Sequence, residues 1–302
     1  MAEQFAQVGE IELCYETFGS AADPALLLVM GLGTQMIAWP EGFCLQLAGR
    51  GFFVIRYDNR DVGRSTQLRQ HPPPTLRQLL LRDKRAARYS LADMADDGIG
   101  LLDQLGIERA HVAGASMGGM IAQTMAARHP DRVLSLASLM SNTGHRWKGT
   151  PGLSIYPIFI RRGSQDRERA IESTVSVFRQ IGSPGFPFDE EKTRKAAELG
   201  YERGYHPAGS GRQLAAILAA GDRSAELRGI TAATVVIHGT KDKMIRPSGG
   251  RATAAAIAGA RLVTIEGMGH DLPVAAWDRI VDAIVANAER ADTSDRSAAT
   301  AP

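Results

Sequence analysis

The sequence has little of what marks several large function classes. It holds two cysteines in 302 residues, Cys14 and Cys44, and neither sits in a Cys-x-x-Cys pair or beside clustered histidines. That argues against a metal site, and both thiols read as buried, free and packed as small apolar groups. Excess charge is scarce too. The formal net charge is +2, a balance that gives no reason to expect nucleic acid or an anionic membrane as partner. Long apolar runs are missing: Ala25 to Met30 is among the longest, far short of the roughly 20 residues that span a bilayer. The first ten residues lack the basic start and apolar centre of a signal peptide, so the expected compartment is cytoplasmic. What remains is ordinary for a soluble globular protein, with 44% apolar and 23% charged residues. The length allows a large core in one or two domains.

The first half alternates β-rich runs with helical spacing. Residues 8–18 suggest an edge strand. Residues 25–30 and 52–57 are unbroken apolar runs, the pattern of strands buried on both faces. Residues 35–49 place Trp39, Phe43 and Leu47 on one helical face. Ser90 reads as an N-cap with Asp93 as its box partner, opening a helix that Gly106 ends. Strands follow at 110–113 and 133–140, with a helix between them running through Arg128. The rhythm resumes with strands at 233–238 and 261–266 and helices near 248–258 and 274–289. Strands alternating with helices predict an α/β fold with a parallel sheet covered on both faces. The stretch 141–225 breaks this rhythm. It is rich in Arg, Gly and Pro, with helical pieces at 166–181, 189–203 and 210–220 and eight aromatic residues between Trp147 and Tyr205. We read 1–140 and 226–289 as the α/β core, 141–225 as a helical cap inserted into it, and the small polar tail 290–302 as disordered.

Gly114-Ala115-Ser116-Met117-Gly118 matches G-x-S-x-G. With 32 glycines and 17 serines in the chain, chance gives about 0.2 such matches, so the pattern alone is weak. Its context is strong: it follows a strand and opens a helix, the sharp turn that holds a serine clear of a sheet. A serine hydroxyl needs a base to take its proton. The order for such a turn is Ser, then Asp or Glu, then His. His270, alone of the seven histidines, follows the late strands, in Gly267-Met268-Gly269-His270. Asp242 ends the preceding strand's loop, at the carboxyl edge where open α/β sheets build sites. Ser141-Asn142-Thr143-Gly144, after strand 133–140, offers no rival carboxylate, and Asp271 is expected to point away. Asp242 would hold the imidazole in the right tautomer.

Two backbone donors should face the developing oxyanion: the N–H of Met117, next after the serine, and the N–H of Leu32 in Met30-Gly31-Leu32-Gly33-Thr34. Tyr57-Asp58-Asn59-Arg60-Asp61-Val62-Gly63-Arg64-Ser65 reads chiefly as a turn held by Asp58 and local ion pairs, with support of the 30–34 loop as the alternative. Arg161-Arg162 reads as solvated surface.

Along residues 8–290 these motifs resemble the α/β-hydrolase superfamily. The phrases Met-Gly-Leu-Gly, Arg-Tyr-Asp-Asn-Arg-Asp and Gly-Met-Gly-His look most like the aclacinomycin-methylesterase-like branch of bacterial esterases. Where many members have His-Gly, this chain has Met30-Gly31. The resemblance implies an eight-stranded, mostly parallel sheet, a helical cap after the sixth strand, no cofactor and a small-molecule ester as substrate. Oligomeric state is open. Thioesterases, lactonases, C–C bond hydrolases and cofactor-free perhydrolases share the same constellation, and some proteins of this fold are non-catalytic receptors. Ser116 argues against the aspartate-nucleophile members.

Overall fold

The computed structural model describes residues 2–160 and 163–299. Arg161-Arg162 and residues 300–302 therefore lie outside the described residues. Eight strands form one sheet: β1 (Gln4–Val8), β2 (Ile11–Phe18), β3 (Ala25–Val29), β4 (Phe53–Tyr57), β5 (Ala110–Ala115), β6 (Val133–Leu139), β7 (Ala233–Gly239) and β8 (Arg261–Ile265). Their spatial order is β1-β2-β4-β3-β5-β6-β7-β8. β2 pairs antiparallel with both neighbours, and every other pairing is parallel. The chain reverses direction in the order at β3, so the carboxyl ends of β3 and β5 lie side by side, the usual seat of a site in such sheets.

The edge strand expected at 8–18 is a hairpin instead. Gly9 adopts φ +56° and turns the chain between β1 and β2, a conformation glycine takes at little steric cost. β3, at the centre, is buried at all five positions, which explains its unbroken apolar run.

The helices are α1 (Glu41–Gly49), α2 (Leu76–Leu80), α3 (Leu91–Gln104), α4 (Met117–Arg128), α5 (Tyr156–Ile160), α6 (Arg167–Ile181), α7 (Glu190–Gly204), α8 (Pro207–Ala220), α9 (Ser224–Leu227), α10 (Ser248–Ala256) and α11 (Trp277–Ala299). The helix expected over 35–49 is split, because Pro40 interrupts it: a 3-10 turn holds Met36–Ala38 and α1 begins after the proline. The Ser90–Asp93 capping box forms in both directions. α11 carries the expected tail onward as helix to Ala299.

Two cores sandwich the sheet. Trp39, Phe43, Leu47, Trp277, Ile280 and Ile284 lie on one side. Met94, Leu101, Leu102, Ile121 and Met125 lie on the other. Between β6 and β7 the described residues are helical or irregular, with α5 to α9 and no strand. The aromatics of this stretch divide. Phe186 packs against the α1–α11 core and Tyr201 stacks on Tyr205 at 5.5 Å. Trp147, Tyr156 and Phe188 are exposed, and the side chain of Phe159 lies outside the described set. Cys14 and Cys44 are free and buried, and burial pushes both thiols up to about 12. Among the described residues no helix is long and apolar enough to cross a membrane, and no cluster of metal-ligating side chains occurs.

Candidate active site

β5 runs straight into α4 with a single residue, Ser116, between them. Ser116 sits at φ 57°, ψ −120°, a region an L-residue occupies only when its surroundings over-determine it. The flanking glycines make that possible. A Cβ on Gly114 would lie 2.1 Å from the Gly118 carbonyl oxygen, and one on Gly118 would lie 2.1 Å from the Val29 carbonyl oxygen. No side chain fits at either place, so the motif's glycines are a packing requirement of the turn. The Ser116 N–H donates to the Leu139 carbonyl at 2.9 Å, which fixes the turn to β6. The hydroxyl stands at the head of α4, where the helix's unpaired amide groups favour negative charge.

The three side chains singled out from sequence meet in one hydrogen-bonded chain. His270 Nε2 lies 2.9 Å from Ser116 Oγ. His270 Nδ1 lies 2.7 Å from Asp242 Oδ2. A carboxylate only accepts, so Nδ1 carries the ring proton and Nε2 is left to accept from the serine hydroxyl. Asp242 is fully enclosed, and its other oxygen accepts the N–H groups of Met244 at 2.9 Å and Ile245 at 2.8 Å. Asp271 turns away, as expected, with Ser183 Oγ donating to its carboxylate.

The His270 loop is held by the end of α6. His270 N–H donates to the Ile181 carbonyl at 2.8 Å, and Gly185 N–H donates to the Gly267 carbonyl at 2.9 Å. Gly269 N–H donates to Ser183 Oγ at 2.8 Å. Backbone meets backbone here. A Cβ on Gly269 would lie 2.2 Å from the Gly182 oxygen, and one on Gly185 would lie 2.5 Å from Gly267 Cα.

On the other flank, the 30–34 loop passes over the serine. A Cβ on Gly31 would lie 3.1 Å from Ser116 Cβ and 3.6 Å from its Oγ. Among the described residues, the N–H groups of Leu32 and Met117 have no hydrogen-bond partner. They are free to donate to a ligand.

A family model described as the alpha/beta hydrolase fold matches residues 24–274. The chain belongs to the α/β-hydrolase family. Within this family it is similar to two rhodomycin D methylesterases. The one from Streptomyces sp. (strain C5) is 30% identical, over 93% of this chain and 96% of that protein. The one from Streptomyces peucetius is also 30% identical, over the same shares. The resemblance to aclacinomycin-methylesterase-like esterases therefore holds, and the chain is a hydrolase with esterase relatives. Among solved structures, the enol-lactonase from Burkholderia xenovorans LB400 superposes with a TM-score of 0.70 at 26% identity, covering 94% of this chain and 99% of that one.

In this α/β hydrolase the Tyr57–Ser65 segment does more than turn. Asn59 Nδ2 donates to the Met30 carbonyl at 2.9 Å, at the root of the 30–34 loop. Asp58 accepts Met36 N–H at 2.7 Å, on the far side of that loop. The ion pairs are not local. Arg203, at the end of α7, donates to Asp58 at 2.9 Å, and Arg212 on α8 forks onto both oxygens of Asp61. Burial works against charge on Asp61, but the Arg212 fork, the Leu68 N–H and the Tyr89 hydroxyl outweigh it and hold the carboxyl below its usual range. Gln213, fully buried on α8, accepts Gly33 N–H at 2.7 Å and donates to the Arg60 carbonyl at 2.8 Å. Sequence reasoning missed Arg203, Arg212 and Gln213. The segment itself gave no signal of them, because its two acids, Asp58 and Asp61, are matched in number by two arginines, Arg60 and Arg64.

A second histidine adjoins the acid. His238, on β7, points Nε2 at the Ile245 carbonyl at 2.8 Å, with Asp242 Oδ2 at 3.5 Å. A carbonyl only accepts, so Nε2 carries the proton. Burial pulls the His238 pKa down, which favours its neutral form beside the Asp242 carboxylate.

Proposed function

We propose that the protein is a serine carboxylesterase acting on small to medium apolar or aromatic esters. The Ser116–His270–Asp242 hydrogen-bonded chain, set at the head of α4, carries this reading. His270 Nε2 takes the hydroxyl proton as Ser116 Oγ bonds to the ester carbonyl carbon. The carbonyl oxygen becomes an oxyanion held by the Met117 and Leu32 N–H groups, each worth about 3 kcal/mol of barrier if it behaves like known donors. The C–O bond to the alcohol breaks as His270 returns the proton to the departing oxygen. Water then gives a proton to His270 as it attacks the acyl-enzyme, and His270 passes that proton to Ser116 Oγ as the Oγ–acyl bond breaks, releasing the acid and the free serine. Asp242 orients the ring and stabilises its protonated form. The relatives named as methylesterases favour a methyl ester, with methanol leaving.

A second reading has a specific support. The enol-lactonase likeness lies above 25% identity, and the same steps open a lactone without releasing an alcohol. Assay of matched methyl esters and lactones separates the two.

The helical stretch 141–225 is proposed as a cap over the serine, because it leaves the sheet at the carboxyl end of β6, beside the end of β5 that leads into Ser116, and the end of its α6 holds the His270 loop. Ser116→Ala is expected to abolish ester turnover and labelling by a fluorophosphonate probe. His270→Ala should match it, and Asp242→Asn should hurt less. Near-normal turnover by Ser116→Ala would end this proposal. For the cap, alanine variants of Phe178 and Phe186 assayed on short and long acyl esters should alter the ratio of kcat/KM between them. A ratio unchanged in folded variants would refute it.

A further inference from the structure

The whole-chain charge hides a local one. Residues 69–88 carry Arg69, Arg77, Arg82, Lys84, Arg85 and Arg88 against a single acid, Asp83. The segment is +5 within a chain whose total is +2, so the other residues together carry −3. All six cations are exposed. Arg85 pairs with Asp83. Among the described residues, Arg77, Arg82, Lys84 and Arg88 have no acidic partner.

The same segment turns leucines outward. Leu76 is 54% exposed, Leu80 73% and Leu81 68%. Scattered single leucines on a surface need no account, but three within one short helix and its C-cap do. The helix is preformed: Thr75 and Gln78 close a capping box around its first turn. Its base is fixed as well. Arg212 donates to the His71 carbonyl at 2.9 Å. Pro73 and Pro74 cover Gly211 of α8, where an added Cβ would lie 3.4 Å from Pro74 Cδ.

We propose that residues 69–88 dock this protein onto an anionic lipid bilayer, with Leu76, Leu80 and Leu81 entering the headgroup boundary and the exposed cations of the segment meeting the lipid phosphates. Neither half suffices alone. A few leucines give weak, reversible partition, and stable attachment needs a second signal such as a polybasic patch. Each cation brought to an anionic surface strengthens binding roughly fivefold. An acidic protein would also attract the cations, but it would not require a fluid apolar layer for the leucines. The surface lies against α8, the helix whose Gln213 holds the 30–34 loop, so a docked bilayer sits beside the candidate site. The inference does not depend on the esterase reading.

The test is co-sedimentation of the full chain with vesicles of phosphatidylcholine alone, or of equal parts phosphatidylcholine and phosphatidylglycerol. Binding is expected to the mixed vesicles and not to the neutral ones, and to weaken as salt rises from about 0.1 M towards 1 M. Leu80→Ser/Leu81→Ser, at two exposed positions, should lower the partition coefficient by about tenfold or more. Arg77→Gln/Lys84→Gln/Arg88→Gln should do at least as much. The proposal is overturned if the protein ignores mixed vesicles, if it binds neutral vesicles equally, or if either folded variant binds like the parent.

Discussion

Gln213 offers a test of how the 30–34 loop is held. Its side chain lies on α8, yet it accepts Gly33 N–H and donates to the Arg60 carbonyl, bridging the loop and the Tyr57–Ser65 segment. Gln213→Met keeps the volume and removes both bonds. Each is worth about 1 kcal/mol net, so a loss of about 2 kcal/mol of stability is expected. In a chain of this size that is a fall in Tm of several degrees. The catalytic effect should exceed what instability explains. Loss of one oxyanion donor costs about 100- to 1,000-fold in kcat. Loosening the proposed Leu32 donor, next to the Gly33 that Gln213 holds, should cost less, about 10- to 100-fold. KM should change little, because the donor acts on charge that develops in the transition state. The measurement is kcat and KM on an activated ester, with Tm on the same preparation. A folded Gln213→Met with parental kcat, or with the loss confined to KM, would refute the reasoning.

Other perturbations follow from the same contacts. Arg212→Met strands the enclosed Asp61 carboxylate and should cost about 3–5 kcal/mol in denaturant unfolding, and a loss under about 1 kcal/mol would show that the pair is not needed. Gly185→Ala forces a Cβ against Gly267 and should lower kcat by displacing His270, which parental kcat in a folded variant would contradict. For pH, burial lowers the pKa of both His111, buried on β5, and His238 in the folded protein. Below about 6.5 the unfolded chain takes up protons that the folded chain refuses, so stability falls as pH drops, by up to about 1.4 kcal/mol per pH unit for each histidine. His238→Gln should make that slope shallower in urea unfolding at acid pH, and an unchanged slope would argue against a buried neutral His238.

What the sequence disclosed was local or ordered along the chain. The Ser116 turn needs glycines at fixed offsets, so a five-residue motif announces it. Asp242 and His270 follow late strands, and the carboxyl edge of a parallel sheet gathers whatever follows its strands. The α/β class was legible from apolar runs such as 25–30, which only burial on both faces explains. The hairpin at Gly9 was missed because apolar alternation continues across it. The reach of the Tyr57–Ser65 segment was missed for a different reason. Its partners Arg203 and Arg212 are 145 and 151 residues distant, and neither periodicity nor spacing links charges so far apart. The leucine-tipped segment 69–88 escaped because a net charge summed over the whole chain cancels a local excess.

The seam between residues 181–185 and 267–270 has a practical consequence for protein engineering. Grafting a foreign segment 141–225 onto this core, a natural way to seek new substrate ranges, would cut through it. Where the two loops face each other through Gly182, Gly185, Gly267 and Gly269, backbone meets backbone and no side chain can shift to absorb a mismatch. A donor segment without small residues at the matching places would push His270 off Ser116 even if every helix folded. Chimaeras should therefore inherit both loops from one parent, and crossover points are safer beyond Phe186 than before it.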